Sequence, residues 1–169
     1  MRASTFMRLA TAALYLSGPP LAAQRASLRV ERDGRAPVVL TAEVLSRLAT
    51  DTVSKSSHGA PPVRYLAVRL VDVLAAAGSP IDSLRIGHAG WIIAALAKDN
   101  YSAVFAAGEL DPKIGPTRAW IAFARDGAPL AENEAPFQVI VSTDKDGGRS
   151  ARMVTTLRIL DALPAPAKP

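Results

Sequence analysis

Residues 92–96 read Ile-Ile-Ala-Ala-Leu, an apolar run without a polar side chain. Such a run is typical of a β-strand that is covered on both faces, so it constrains the fold to one with structure on either side of a sheet. Further short apolar segments occur along the chain, and stretches rich in turn residues separate them. Strands are predicted for residues 28–32, 37–40, 51–57, 84–86, 91–97, 101–105, 120–124, 137–141 and 153–160.

Two or three short helices accompany these strands. Thr41 can cap the first, because its hydroxyl can accept an amide proton two or three residues further on. Val44, Leu45 and Leu48 then share one helical face. A second helix is predicted over residues 70–77, ending at Gly78 and Pro80, and a single turn over residues 109–111, ending at Pro112.

The predicted strands and helices do not alternate along the chain, as they would in a series of β-α-β units. This favours an α+β domain with a mostly antiparallel or mixed β-sheet over a doubly wound parallel sheet. Hydrophobic residues make up 49% of the chain and aromatic residues 5%, so the core must be built mainly from aliphatic side chains. The residues expected in the core are Trp91, Ile93, Leu96, Phe105, Trp120, Ile121, Phe137, Val139, Val141, Val154 and Leu157.

The first 23 residues have the layout of a secretory signal peptide. Arg2 and Arg8 precede an apolar stretch at residues 9–16, two adjacent prolines interrupt it, and small residues lead up to Ala23. A buried N-terminal helix is the weaker alternative, because proline disrupts helices. The apolar stretch is also shorter than the roughly 20 residues needed to span a bilayer. We therefore expect a periplasmic or secreted protein with no transmembrane span.

The rest of the chain is expected to form one domain over residues 24–163, followed by a disordered tail at residues 164–169 of polyproline II character. The formal net charge is +5, and loss of the signal peptide would lower it by two. Lys and Arg are scattered and do not interleave with aromatic residues, which argues against nucleic acid as a partner. The pattern indicates a solvated surface with room for a local anion site.

Motifs with established chemistry are missing from the sequence. It has no Gly-rich phosphate loop, no acidic or His-x-x-x-His metal cluster and no Gly-x-Ser-x-Gly turn. Its two histidines, His58 and His88, are too few to predict a metal site. The sequence also lacks cysteine, so it predicts neither a disulfide framework nor a thiolate ligand. No catalytic residue is predicted.

A series of short blocks nevertheless follows a known order. Residues 65–74 read Tyr-Leu-Ala-Val-Arg-Leu-Val-Asp-Val-Leu, and residues 99–101 read Asp-Asn-Tyr. Residues 126–130 read Asp-Gly-Ala-Pro-Leu, and Asp144 precedes an Arg-Met-Val block at residues 152–154. In this order the blocks resemble the molybdopterin-binding domain of the sulfite oxidase family, in its small secreted form. The resemblance covers residues 28–160 and implies that fold.

The resemblance also implies a cofactor that this sequence is poorly equipped to hold. Enzymes of the family bind molybdenum through one cysteine shortly before the Gly-Val-x-Leu block, where this chain has Ser54, Ser56 and Ser57. A serine hydroxyl is a hard ligand that is hardly ionised, and it replaces a thiolate poorly. Two glycines of the family pattern are replaced as well, by Ala67 and Asn100. Asn tolerates a left-handed backbone, whereas Ala67 cannot admit a ligand as closely as glycine would.

We therefore expect a non-catalytic binding or accessory module without a cofactor. Its partner would be either a small molecule or an envelope protein bound at its surface. An anionic small molecule is one form of the first alternative. The alternative is a molybdopterin-dependent oxidoreductase that retains its cofactor without a cysteine ligand. A further alternative is a structural subunit of a larger envelope complex.

By the same resemblance, any remaining function is expected in one cleft. Three turn-rich stretches would form it, at residues 58–64, 99–101 and 144–152. Asp99 and Asp144 could instead neutralise the neighbouring cations, and the block at residues 99–101 could simply connect two strands. The predicted ligand-binding residues are His58, Arg64, Asp99, Tyr101, Asp144, Lys145 and Arg152.

The signal-peptide hypothesis has a direct test. The small residues that end at Ala23 predict that the exported protein begins near Gln24. N-terminal sequencing of the protein recovered from the envelope fraction or the medium measures this. An N-terminus at Met1 on membrane-embedded protein would contradict the hypothesis.

Overall fold

The computed structural model describes residues 26–56, 61–81 and 88–162. In these residues ten strands form two five-stranded sheets, accompanied by three short helices and one 3-10 turn. The strands are β1 (Ser27–Arg32), β2 (Val38–Thr41), β3 (Thr50–Lys55), β4 (Val63–Arg69), β5 (Trp91–Ala97), β6 (Ser102–Ala106), β7 (Ala119–Arg125), β8 (Ala128–Pro129), β9 (Gln138–Val141) and β10 (Val154–Asp161). The helices are α1 (Ala42–Ser46), α2 (Leu70–Ala76) and α3 (Ala107–Leu110), and the 3-10 turn is His88–Gly90.

The first sheet has the strand order β2-β1-β10-β5-β6. β1 and β10 run parallel, with Val30 opposite Leu157, and the other neighbouring pairs are antiparallel. The last of the ten described strands is therefore the middle strand of this sheet. β5 contains the uninterrupted apolar run, and Ile93, Ala94 and Ala95 are all buried. Because successive side chains point to opposite faces, β5 is covered on both faces, as predicted.

The second sheet is antiparallel throughout, with the path β3-β4-β7-β8 and with β9 paired to the other part of β7. Its strands β4 and β8 were not predicted from the sequence. β4 passes directly into α2 at Leu70, and neither glycine nor proline marks the boundary. The apolar residues of the strand and of the helix thus follow one another without a break. The sequence pattern predicted the helix from its periodicity, and the strand before it was missed. The α+β class with mostly antiparallel sheets is confirmed.

The two sheets contribute to one main core, which confirms nine of the expected core residues as buried. Leu96 and Trp120 are only half-buried. Leu96 lies where the pairing of β5 with β10 shifts in register. Trp120 packs instead against a smaller apolar cluster, and its indole nitrogen donates to Asp51 Oδ2 at 3.0 Å. Trp120 therefore lies on the face of the second sheet that is turned away from the main core. The sequence alone did not show which face of this apolar strand the side chain would occupy.

The helices begin and end close to the expected residues. Thr41 Oγ1 accepts from the amide of Val44 at 3.2 Å, as predicted for the cap of α1. Leu45 is buried, but the helix ends at Ser46 before a full apolar face can form, and Val44 is exposed. α2 ends before Gly78, whose φ of +73° is one that favours glycine.

Several sequence predictions fall outside the described residues. They are the signal peptide, the strand at residues 84–86 and the tail at residues 164–169. In the parts of the chain that the structure describes, no helix is long and apolar enough to cross a membrane.

Leu74 on α2 tests the packing of the helices against the sheets. Its side chain is fully buried in the main core, so Leu74→Ala is expected to lower the free energy of unfolding by about 2 to 5 kcal/mol. The matched control is Leu66→Ala, because Leu66 is 40% exposed and its truncation should cost less than about 1 kcal/mol. Equilibrium denaturation of both variants measures the difference. Equal losses would mean that the α2 face is not in the core.

Candidate functional site

A cleft opens on the outer face of the second sheet, the face turned away from the main core. This face carries the smaller apolar cluster, whose members include Val53, Tyr65 and Ile140. The cleft has a volume of about 460 Å³, a size within the usual range of small-molecule sites. The residues that line it are Lys55, Pro61, Val63, Tyr65, Arg125, Glu134, Gln138, Ile140, Asp146, Gly147, Gly148, Ser150 and Arg152.

The alternation of side chains along the strands places these residues together. On β4, Val63 and Tyr65 face the cleft, and Tyr65 lies opposite Arg125 of β7. On β9, Gln138 and Ile140 face the cleft, while Val139 and Val141 enter the main core. The period of two thus gives each of these strands one apolar face and one face that can carry polar groups.

The charges in the cleft are unevenly paired. Arg125 Nη1 lies 2.6 Å from Glu134 Oε1, so these two charges largely offset each other. Lys55 Nζ donates to the backbone carbonyls of Val141 and Asp144. Arg152 is exposed and makes no ion pair with any described residue. Asp146 also lines the cleft, but no described carboxylate lies within ion-pair distance of Lys55 or Arg152. The lining therefore has three cations, Lys55, Arg125 and Arg152, and two anions, Glu134 and Asp146.

Two acceptor atoms at the cleft have no hydrogen-bond partner in the described residues. They are Glu134 Oε2 and Gln138 Oε1, and both are buried. Tyr65 supplies a neutral hydroxyl near them. Burial and, to a smaller extent, the charge of Glu134 raise the pKa of Tyr65 above its ordinary value, so its phenol stays protonated at neutral pH.

One wall of the cleft is the loop between β9 and β10, and Arg149 holds it in place. The Arg149 guanidinium binds both oxygens of Asp144, at 2.7 and 2.9 Å, and both oxygens of Glu109, at 2.9 and 3.0 Å. Glu109 also accepts from the hydroxyl of Thr117 at 2.8 Å. It further accepts from the amide of Ala106 at the start of α3. This network, which we call the Arg149 bridge, fastens the loop to α3.

The Arg149 bridge affects the titration of its carboxylates. Its hydrogen bonds from Arg149 lower the pKa of Asp144, against the opposing effect of burial. Burial would raise the pKa of Glu109, but the hydrogen bonds from Arg149 and Thr117 outweigh it and lower the pKa. Both carboxylates are therefore held in their charged form around neutral pH.

The structure brings some of the predicted site residues together. Arg152 lines the cleft, Asp144 belongs to the Arg149 bridge, and Lys145 is exposed on the same loop. Tyr101 contacts this loop too, because its hydroxyl donates to the carbonyl of Gly148. Asp99 Oδ1 accepts from the Tyr101 amide at 3.0 Å and so shapes the turn.

Two predicted residues are not part of this group. Arg64 lies between Val63 and Tyr65 on β4, so its side chain points away from the cleft that they line. Its amide donates to Asp126 Oδ1 at 3.0 Å. His58 lies outside the described residues.

Sequence reasoning missed several residues that line the cleft or support it. For Arg149 the sequence offers only the presence of a cation five positions after Asp144 in a turn-rich loop. Gln138 was detectable, as a polar residue at the edge of an apolar strand. Arg125 and Glu134 belong to a stretch that the sequence identifies only as turn-rich, and their pairing depends on the folded loop.

The solved structures include a clear match to this fold. The chain resembles a chain of the sulfane dehydrogenase SoxCD from Paracoccus pantotrophus with a TM-score of 0.62 and 20% sequence identity. The match covers 82% of this chain and 39% of that one. SoxCD contains a sulfite oxidase-family protein, so this chain has a sulfite oxidase-like fold. No protein-family model and no curated protein matches the sequence.

The residues of this chain do not fit a molybdenum held by a protein thiolate. The sequence has no cysteine, and Ser54 and Ser56 are exposed. Ser54 also points to the opposite side of β3 from Lys55, which lines the cleft. Ala67, in place of the family's glycine, is fully buried in the smaller apolar cluster. Across the described ranges, no group of three acidic, cysteine or histidine side chains could hold a metal ion.

Removal of the central cation tests the Arg149 bridge. Arg149→Ala leaves Asp144 and Glu109 without their main partner and is expected to lower the free energy of unfolding by about 2 kcal/mol at neutral pH, allowing for partial exposure. The matched control, Arg158→Ala, removes an exposed ion pair with Glu31 and should cost less than about 1 kcal/mol.

The pH dependence distinguishes a charge effect from lost packing. Asp144 and Glu109 have ordinary pKa values of 3.8 and 4.5, and both are lowered in the folded protein. Their stabilisation is therefore present above these values and is lost as the pH falls through the lower pKa values of the folded state. The stability difference between wild type and Arg149→Ala should shrink over this acid range in urea denaturation. A difference that stays constant with pH would contradict an electrostatic bridge.

Proposed function

We propose that this chain is an exported, non-catalytic binding module that holds a small anionic molecule in the cleft on the outer face of its second sheet. The observation that carries this proposal is Arg152, a cation that lines the cleft and makes no ion pair with the described part of the chain. Lys55 lines the same cleft. Export is inferred from the signal-peptide layout of the first 23 residues.

The chemistry of the lining suits an anion of modest size. A guanidinium presents a planar set of donors that match a carboxylate, phosphate or sulfate in two parallel hydrogen bonds. Tyr65 adds a neutral hydroxyl, and Val63 and Ile140 add apolar surface. With five charged side chains in its lining, the cleft is more polar than most small-molecule sites, which favours a charged ligand over an apolar one.

We propose a non-catalytic role because the chain lacks cysteine, and so lacks the soft thiolate ligand that the resembling enzymes use. The sulfite oxidase-like fold supports a second candidate, an oxidoreductase that retains molybdopterin without a cysteine ligand. Metal analysis of protein purified from a host that makes the cofactor separates the two. We expect no bound molybdenum, and one molybdenum per chain would overturn the non-catalytic proposal.

Binding of simple anions tests the role of Arg152. We expect sulfate, phosphate or acetate to bind wild-type protein in calorimetric titrations, and Arg152→Ala to weaken that binding by about tenfold or more. Because Arg152 has no ion-pair partner among the described residues, the melting temperature of the variant should stay close to that of wild type.

The matched control is Arg47→Ala. Arg47 is exposed and pairs with Glu43 on α1, away from the cleft, so this variant has the same change in charge. It should bind anions like wild type. Equal weakening in both variants, or no binding of any of these anions by wild type, would overturn the proposal.

A further inference from the structure

The two buried acceptors at the cleft carry information about its ligand. Glu134 is 5% exposed and Gln138 is 7% exposed, and both line the cleft. Glu134 Oε2 and Gln138 Oε1 have no hydrogen-bond partner among the described residues. A buried acceptor without a partner destabilises the fold, so in native proteins such an atom is usually satisfied by a protein group, an ordered water, an ion or a ligand.

Glu134 is held firmly in this position. Arg125 binds its other carboxylate oxygen, Oε1, at 2.6 Å. The amide of Glu134 donates to the carbonyl of Ala131 at 2.8 Å, and its carbonyl accepts from the amide of Met153 at 3.0 Å. The carboxylate therefore cannot turn Oε2 outward without losing its contact with Arg125, and Oε2 is kept as an acceptor.

The backbone contact of Glu134 with Met153 places Glu134 close along the fold to Arg152, the cation that is proposed to bind the anion. Met153, which binds the Glu134 backbone, is the next residue after Arg152. Arg152 and Glu134 both line the cleft, and this backbone hydrogen bond joins their two segments. Gln138 adds a second acceptor from β9.

We infer that the ligand of this cleft is a small molecule with two poles, an anionic group bound by Arg152 and an amino or amidino group bound by Glu134 Oε2 and Gln138 Oε1. This inference rests on the proposed function, since it assigns the second half of the same ligand. A nitrogen that carries several N–H donors satisfies both acceptors at once, and a positive charge on it favours the carboxylate. A plain anion would leave both acceptors unsatisfied.

A series of matched probes tests the amino pole. Glycine, β-alanine, 4-aminobutanoate and 5-aminopentanoate differ in the distance between amine and carboxylate. Acetate, propionate, butanoate and pentanoate are the corresponding carboxylates without an amine. We expect at least one amino acid of the series to bind wild-type protein about tenfold or more tightly than its partner without the amine.

Two variants assign that preference to the acceptors. Glu134→Gln keeps the shape of the side chain and removes its charge, and it should reduce the preference for the amine while binding the plain carboxylate at least as well as wild type. Gln138→Leu removes the second acceptor without touching the contact with Arg125, and it should also reduce the preference. Gln138→Leu serves the test even if Glu134→Gln fails to fold.

The outcomes separate this inference from the proposed function. Plain carboxylates that bind in an Arg152-dependent manner, with no gain from the amine, would overturn the inference and leave the anion site standing. A preference for the amine that survives in both variants would also overturn it. If neither series binds, or if binding is indifferent to Arg152→Ala, the proposed function itself is wrong.

Discussion

The ion-pair network centred on Arg149 joins parts of the chain that no strand pairing connects. It fastens the loop between β9 and β10 to α3, which follows the edge strand β6 of the other sheet. The guanidinium also lies 5.0 Å from the ring centroid of Phe105, a fully buried residue of the main core. Because Arg152 belongs to this loop, the geometry of the cleft depends on a network outside it. The proposed anion site is thus built on a fixed wall.

The second sheet contributes one face to the main core and uses the other face to line the cleft. On β9 every residue is buried, yet Val139 and Val141 enter the main core while Gln138 and Ile140 face the cleft. The apolar floor excludes water from one side of the cleft, which strengthens the polar interactions at its walls. The same arrangement explains how Glu134 and Gln138 remain buried although they line a cleft at the surface.

Much of the fold could be predicted from the sequence, since most strands are short apolar segments bounded by turn residues. The exceptions are β4, which lacked such a boundary before α2, and the two-residue β8, which lies in a stretch predicted to be a turn-rich loop. The face of Trp120 could not be assigned without knowing that the second sheet has two apolar sides. Arg152 was named as a candidate from the resemblance to the sulfite oxidase family, and its side chain lines the cleft. The contacts of Arg125 with Glu134 and of Arg149 with Glu109 join residues 9 and 40 positions apart, and such pairs follow from tertiary structure alone.

The position of β10 in the middle of the first sheet has a consequence for how the chain reaches its fold. β2 and β1 are joined to β5 and β6 only through this last strand, and an ion pair across the β1–β10 pairing links residues 127 positions apart. A nascent chain therefore cannot complete this sheet until its final strand has been synthesised. Contacts between such distant segments also slow folding.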